Sequence, residues 1–169
     1  LAIGELKKFV EDDDNAERAL RQLAGDVAKH EFERLGWDAD EDEPESDTKL
    51  RATILGLMVY SESESVLGEA HQRFSIKALA AIPAEYRGLI ISAEVRYHET
   101  EELIKELLVA HKATSSSDLQ QDIAGGLTSS RSTDTIEKLL ECTKNTSVVR
   151  SQDAVHWFVY LVRNKYGRE

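Results

Sequence analysis

Residues 148–169, VVRSQDAVHWFVYLVRNKYGRE, combine a helix start, an almost wholly apolar helix and an abrupt stop. From Ala154 the apolar residues Ala154, Trp157, Phe158, Leu161 and Val162 fall on one side at helical spacing. Val155 and Val159 widen that stripe beyond the share of a surface helix, so this helix needs neighbours on most sides. Gly167 and the end of the chain follow at once. The expectation is therefore a chain cut from a longer protein, with its final helices missing.

The same period runs back through the chain. Leu20, Leu23, Ala24, Val27 and Ala28 make one apolar face, and Leu67, Ala70, His71, Phe74 and Ala78 make another. Tyr86, Leu89, Ile90, Ala93 and Tyr97 repeat the pattern, as do Leu103, Ile104, Leu107, Leu108 and His111, while no segment alternates with period two. Pro83 suits a first helical turn, where its missing N–H costs little. Ser117-x-x-Gln120 and Asp134-x-x-Glu137 read as capping boxes, and Ser151 as a cap for the last helix. From Pro83 onward helix starts recur every ~16 to 18 residues, so two helices fill a unit close to the roughly 34 to 47 residues of helical repeats. The expected fold is all-α, with antiparallel helix pairs stacked as a HEAT/armadillo-like α-superhelix that has a concave side. One helical-repeat domain covers residues 1–169.

Composition narrows the function. Hydrophobic residues are 41% and charged residues 31% of 169, which favours neither a disordered nor a fibrous class. No apolar run approaches the ~18 residues of a membrane span, so no membrane partner is expected. A formal charge of −11, from 21 basic and 32 acidic residues, argues against nucleic acid, which needs basic stripes. The single cysteine, Cys142, cannot form an internal disulfide and suits the reducing cytoplasm, which is the expected location.

Candidate chemistry is sparse. His30-Glu31-Phe32-Glu33-Arg34 starts like the zinc-protease helix H-E-x-x-H, but Arg34 stands where the second imidazole is needed and a guanidinium cannot ligate zinc. In His98-Glu99-Thr100-Glu101-Glu102 the second histidine is replaced by Glu102, and Thr100 reads as a helix cap. Seven of the ten residues from 38 to 47 are acidic, yet Glu43 occupies the position where a calcium loop needs glycine, so a solvated acidic loop is expected. Cys142 reads as a passive, partly buried thiol. Gly125-Gly126 lies inside a helical pattern and implies a close helix approach or a break. In the last helix Gln152, His156, Tyr160 and Arg163 form one polar stripe. Facing the concave side, it would offer donors to a peptide backbone or carboxylate, and facing water it would be an ordinary solvated edge. These four are the candidate peptide-binding residues. No residue of the chain is expected to be catalytic or to hold a metal.

Four blocks in order carry a resemblance: RLGWDADEDEPESDTKLR at 34–51, IPAEYRG at 82–88, GGLTSSRSTDTIEKLLE at 125–141 and the terminal block at 148–169. Together they resemble the C-terminal helical domain of the aminopeptidase N family of zinc metallopeptidases, endoplasmic reticulum aminopeptidases included. The resemblance implies a parent enzyme that removes N-terminal residues from peptides. Its H-E-x-x-H zinc helix, glutamate ligand and amine-recognition motif would lie in earlier domains, so zinc is the parent's cofactor and not this chain's. It further implies an array of paired helices that arches over the catalytic domain of the same polypeptide, closes an internal chamber and limits the entry of peptide substrates. The family chain would continue past Glu169 with another helix. The alternative, read from the helices alone, is a free-standing helical-repeat adaptor that holds a protein or peptide segment on its concave face.

Overall fold

Asp13 caps α2 (Asp14–Leu35). Its carboxylate accepts from the backbone N–H of Asn15 and Ala16 at 2.9 and 3.0 Å, which satisfies two orphan donors and starts the longest helix. That helix ends where Gly36, at φ 56°, adopts a left-handed conformation and donates its N–H to the Phe32 carbonyl at 2.9 Å. Nine α-helices build the described residues, 2–168 of a computed structural model. They are α1 (Ala2–Val10), α2 (Asp14–Leu35), α3 (Glu45–Tyr60), α4 (Glu64–Arg73), α5 (Ala84–His98), α6 (Glu101–Ala113), α7 (Ser117–Leu127), α8 (Thr133–Thr143) and α9 (Ser151–Arg163). Short 3₁₀ turns occupy Ile76–Ala81 and Lys165–Gly167, and no strand occurs among the described residues. The all-α, helix-on-helix fold is as expected.

The chain divides into two compact units, 1–69 and 70–169, with the division inside α4. In the first, α2 packs along α3 and against α1, and Leu20, Ala24 and Tyr60 form a core lined by Ile3, Val10 and Leu57. The expected apolar face of α2 is only half used: Leu20, Ala24 and Ala28 are buried, whereas Leu23 and Val27 are exposed. The acidic loop differs more. Glu43 leaves water for the buried Arg51, which donates from two nitrogens to its carboxylate and also to the Leu35 carbonyl at 3.0 and 3.2 Å. Asp47 pairs with Arg34 at 2.6 Å. Two of the seven acids thus hold the loop down, because the guanidinium that closes the end of α2 needs a counter-charge there.

In the second unit alternate helices form a layer: α5 packs on α7 and α7 on α9, with α6 against α7 and α8 against α9. The tightest approach lies at the glycine pair. A β-carbon on Gly126 would fall 2.3 Å from Ile91 Cγ2 of α5, while one on Gly125 would meet nothing within 4 Å. The helix runs through both without a break. Beside them Arg87 of α5 donates to Asp122 of α7 at 2.7 Å.

Several expected boundaries shift. The apolar pattern from Leu67 to Ala78 does not continue as one helix: α4 stops at Arg73, and Ala78 lies off the helical conformation inside a 3₁₀ turn. Pro83 caps α5 from just outside its first turn. The caps of α7 and α8 are Ser116 and Ser132, whose hydroxyls accept from Leu119 and Thr135, since each sits in the extended conformation a cap needs. Ser151 is the first helical residue of α9, whose cap, Arg150, makes no side-chain cap bond and instead grips Asp153 at 2.6 Å.

Candidate functional site

The four expected peptide-binding residues lie on α9, which three interactions fix in place. Trp157 and Leu161 are buried, and Trp157 meets the His111 ring of α6 edge-on at 5.2 Å. Arg150 reaches Gln120 Oε1 of α7 at 2.8 Å while Gln120 donates to the Thr114 carbonyl at 2.9 Å. Past the helix end, Asn164 Nδ2 donates to the Thr128 and Ser130 carbonyls at 2.9 and 2.6 Å. On this support Gln152, His156 and Arg163 are exposed, and Tyr160 is half-buried with its hydroxyl accepting from Gln121 Nε2 at 3.4 Å. Val155, Phe158 and Val162 are exposed at 67, 52 and 46%. The apolar helix is therefore covered on one side only. The free side offers an amide, an imidazole, a phenol and a guanidinium, which can donate hydrogen bonds, beside three apolar side chains.

His111 is the buried ionisable group behind this helix. Its Nδ1 is buried without a hydrogen-bond partner among the described residues. Burial pushes its pKa below the ordinary 6.5, opposed by the Asp153 charge and reinforced by Arg150.

The H-E-x-x-H-like segment is built for structure. Arg34, in the place of a second ligand, donates to Glu31 at 2.8 Å and to Asp47, and the bond from Arg34 holds the Glu31 carboxyl below its ordinary value. His30 is exposed. Cys142 is half-buried, and burial raises its thiol pKa, the opposite of what a nucleophile needs.

One constellation was not found by sequence reading. His98, at the end of α5, lies beside Glu94 one turn earlier and His71 from the last turn of α4. His71 Nδ1 is 2.8 Å from Glu94 Oε2, and the two imidazole rings stack with centroids 4.1 Å apart. One ligand atom from each residue lies within 4.8 Å of the others. Glu94 is buried and both histidines are exposed. The sequence held half of this signal, since Glu94-x-x-x-His98 places two ligand types on one helix face. His71 lies 23 residues before Glu94, beyond the reach of any helical spacing. Glu99, which sequence pairs with His98, turns away to accept from Thr135 Oγ1 at 2.6 Å and from Ser130.

A second feature is a groove of about 430 Å³ in the first unit, lined by Arg21, Lys29, Phe32, Met58, Ser61 and Ser63 among others. Among the described residues no helix is long and apolar enough to cross a membrane.

A model of the ERAP1-like C-terminal domain matches residues 2–169. The chain is 32% identical over 170 residues to aminopeptidase N of Lactococcus lactis subsp. cremoris (strain MG1363), a match covering 99% of this chain and 20% of that protein. Aminopeptidase N of Lactobacillus helveticus is 28% identical over 166 residues, 97% of this chain and 20% of that protein. Glutamyl aminopeptidase of Bitis rhinoceros is 26% identical over 170 residues, 99% of this chain and 18% of that protein. The chain thus spans about a fifth of the length of these relatives.

Proposed function

The chain belongs to the family of ERAP1-like C-terminal domains, and from that premise we propose that it is the non-catalytic C-terminal domain of a zinc aminopeptidase. It would enclose the peptide chamber of that enzyme and limit what enters it. One observation carries this reading. The family match runs the length of the chain, yet of the two segments that start like a catalytic zinc helix one is closed by Arg34, ion-paired on both sides, and the other has Glu102 in place of the second histidine.

In the parent enzyme zinc would polarise the scissile carbonyl and activate water, held by residues of another domain. This chain's part is physical. A wall of helices admits short peptides, excludes folded chains, and gates entry and release by moving against the catalytic domain of the same polypeptide. The exposed side of α9 is the surface we assign to passing peptides, with Arg163 for a carboxylate or carbonyl and Gln152, His156 and Tyr160 for the backbone. The cytoplasm is the proposed location.

The test is made in the full-length polypeptide that carries this chain. Arg163→Ala and Gln152→Ala are expected to change how turnover depends on peptide length while leaving hydrolysis of a single aminoacyl reporter unaltered. An unchanged length profile would remove the α9 stripe from the reading. Equal rates on peptides and on folded proteins in the unaltered enzyme would remove the access role itself.

A further inference from the structure

We propose that His71, Glu94 and His98 form a binding site for a divalent transition ion of the zinc class. The ligand set is two imidazoles and one carboxylate, a combination that suits zinc and its neighbours and disfavours the hard cations magnesium and calcium. Three protein ligands leave a fourth position for water, and the exposure of both histidines leaves that side open.

Three features of the geometry support the assignment. His71 Nδ1 lies 2.8 Å from Glu94 Oε2, a bond in which Nδ1 carries the proton, and a cation bound here would take that proton's place between the imidazole nitrogen and the carboxylate. The stacked rings, 4.1 Å apart, bring the second imidazole to the same side. With all three ligand atoms within 4.8 Å of one another, side-chain rotations that move them by up to about 1.5 Å would reach the ~3.3 to 3.6 Å spacing set by tetrahedral zinc–ligand bonds of ~2.0 to 2.2 Å. Glu94 adds the energetic reason: its side chain is only 8% exposed, and a buried carboxylate is stabilised by a cation held against it. A bound ion would tie the last turn of α4 to the last two turns of α5, across the 3₁₀ turn that joins them.

The three residues do not have the H-E-x-x-H arrangement, and the role assigned to the ion is to tie two helices together. The inference is independent of the proposed access role, because it concerns metal held by this chain whether or not a peptidase is attached.

The test is titration of the chelator-stripped chain with zinc chloride by calorimetry, and with cobalt chloride by visible absorption. One equivalent is expected, with a cobalt d–d band that reports nitrogen and oxygen ligation. His71→Ala, His98→Ala and Glu94→Gln should each weaken binding at least about tenfold, with helical circular dichroism retained, and His71→Ala/His98→Ala together should abolish it. His30→Ala, an exposed histidine elsewhere, should bind as the unaltered chain does. Absence of saturable binding, or binding that survives in the double variant, overturns the proposal. The cobalt spectrum of the unaltered chain decides the ligand type even where a variant fails to fold.

Discussion

Gly126 of α7 lies so close to α5 that a β-carbon there would fall 2.3 Å from Cγ2 of Ile91, whereas its neighbour Gly125 faces open space. Two adjacent glycines therefore have opposite meanings. Gly126→Ala forces α5 and α7 apart and is expected to cost about 1–3 kcal/mol as overpacking. Gly125→Ala removes only backbone freedom and is expected to stabilise by up to about 1 kcal/mol. Urea unfolding of the two variants reads both signs. A Gly126→Ala chain as stable as the unaltered one would mean that α5 and α7 do not meet at this spacing.

The exposed and buried halves of α9 give a second contrast. Trp157 is 1% exposed and packs on His111, so Trp157→Ala is expected to cost about 3–5 kcal/mol. Phe158 is 52% exposed, and Phe158→Ser should change stability of this chain by no more than about 0.5 kcal/mol. Thermal unfolding followed by circular dichroism separates the two. Equal losses would show that the outer side of α9 is packed as well.

Acidification tests His111. Its folded pKa lies below the ordinary 6.5, so between those values the unfolded chain takes up a proton that the native chain refuses. The stability from keeping this ring neutral is present above 6.5 and is lost as the pH falls through the folded value. Unfolding free energy should therefore fall from pH 7 to pH 5.5, and in His111→Phe, which keeps an aromatic edge on Trp157, the slope in that window should flatten. A slope unaltered by the substitution would assign the effect to other groups.

Arg51 and Arg34 both pair with acids of the same loop, but Arg51 is 3% exposed and the Arg34 side chain 45%. Arg51→Met leaves Glu43 without its partner in a buried setting, while Arg34→Met breaks a pair that water largely screens. The urea midpoint should fall much further for Arg51→Met. The bond from Arg51 holds Glu43 below its ordinary carboxylate range, as the bond from Arg34 does for Asp47. Both pairs contribute stability above those ordinary values and lose it as the pH drops toward the folded ones, so the unaltered chain should be the more acid-labile relative to its neutral-pH stability.

Helical period alone located the face of α6, where Leu103, Ile104, Leu107 and His111 are buried, but on α5 it found Tyr86, Ile90 and Ala93 and missed Ile91 and Val95, which are fully buried outside the expected face. It over-assigned α2 and α9, where Leu23, Val27 and Phe158 continue the pattern into solvent. Period measures amphipathicity and not which neighbour is present. Caps were displaced by one or two residues because runs such as Ser115-Ser116-Ser117 offer the same hydroxyl three times and only backbone conformation selects one. The family blocks were legible as a pattern, whereas the contacts their residues make were not. Arg51, Arg87, Gly126, Arg150 and Asn164 are each joints between separate elements. The His71 contact was illegible because it depends on how the chain turns between α4 and α5, and no residue spacing encodes that turn.

The most direct measurement is hydrolysis of an aminoacyl p-nitroanilide by the purified 169-residue chain, first stripped of metal and then with zinc restored. No release above buffer is expected in either state, even where zinc binds at His71, Glu94 and His98, since the peptide-cleaving chemistry is assigned to residues outside this chain. Release that rises with zinc, falls with chelator and follows the chain through purification would contradict that assignment.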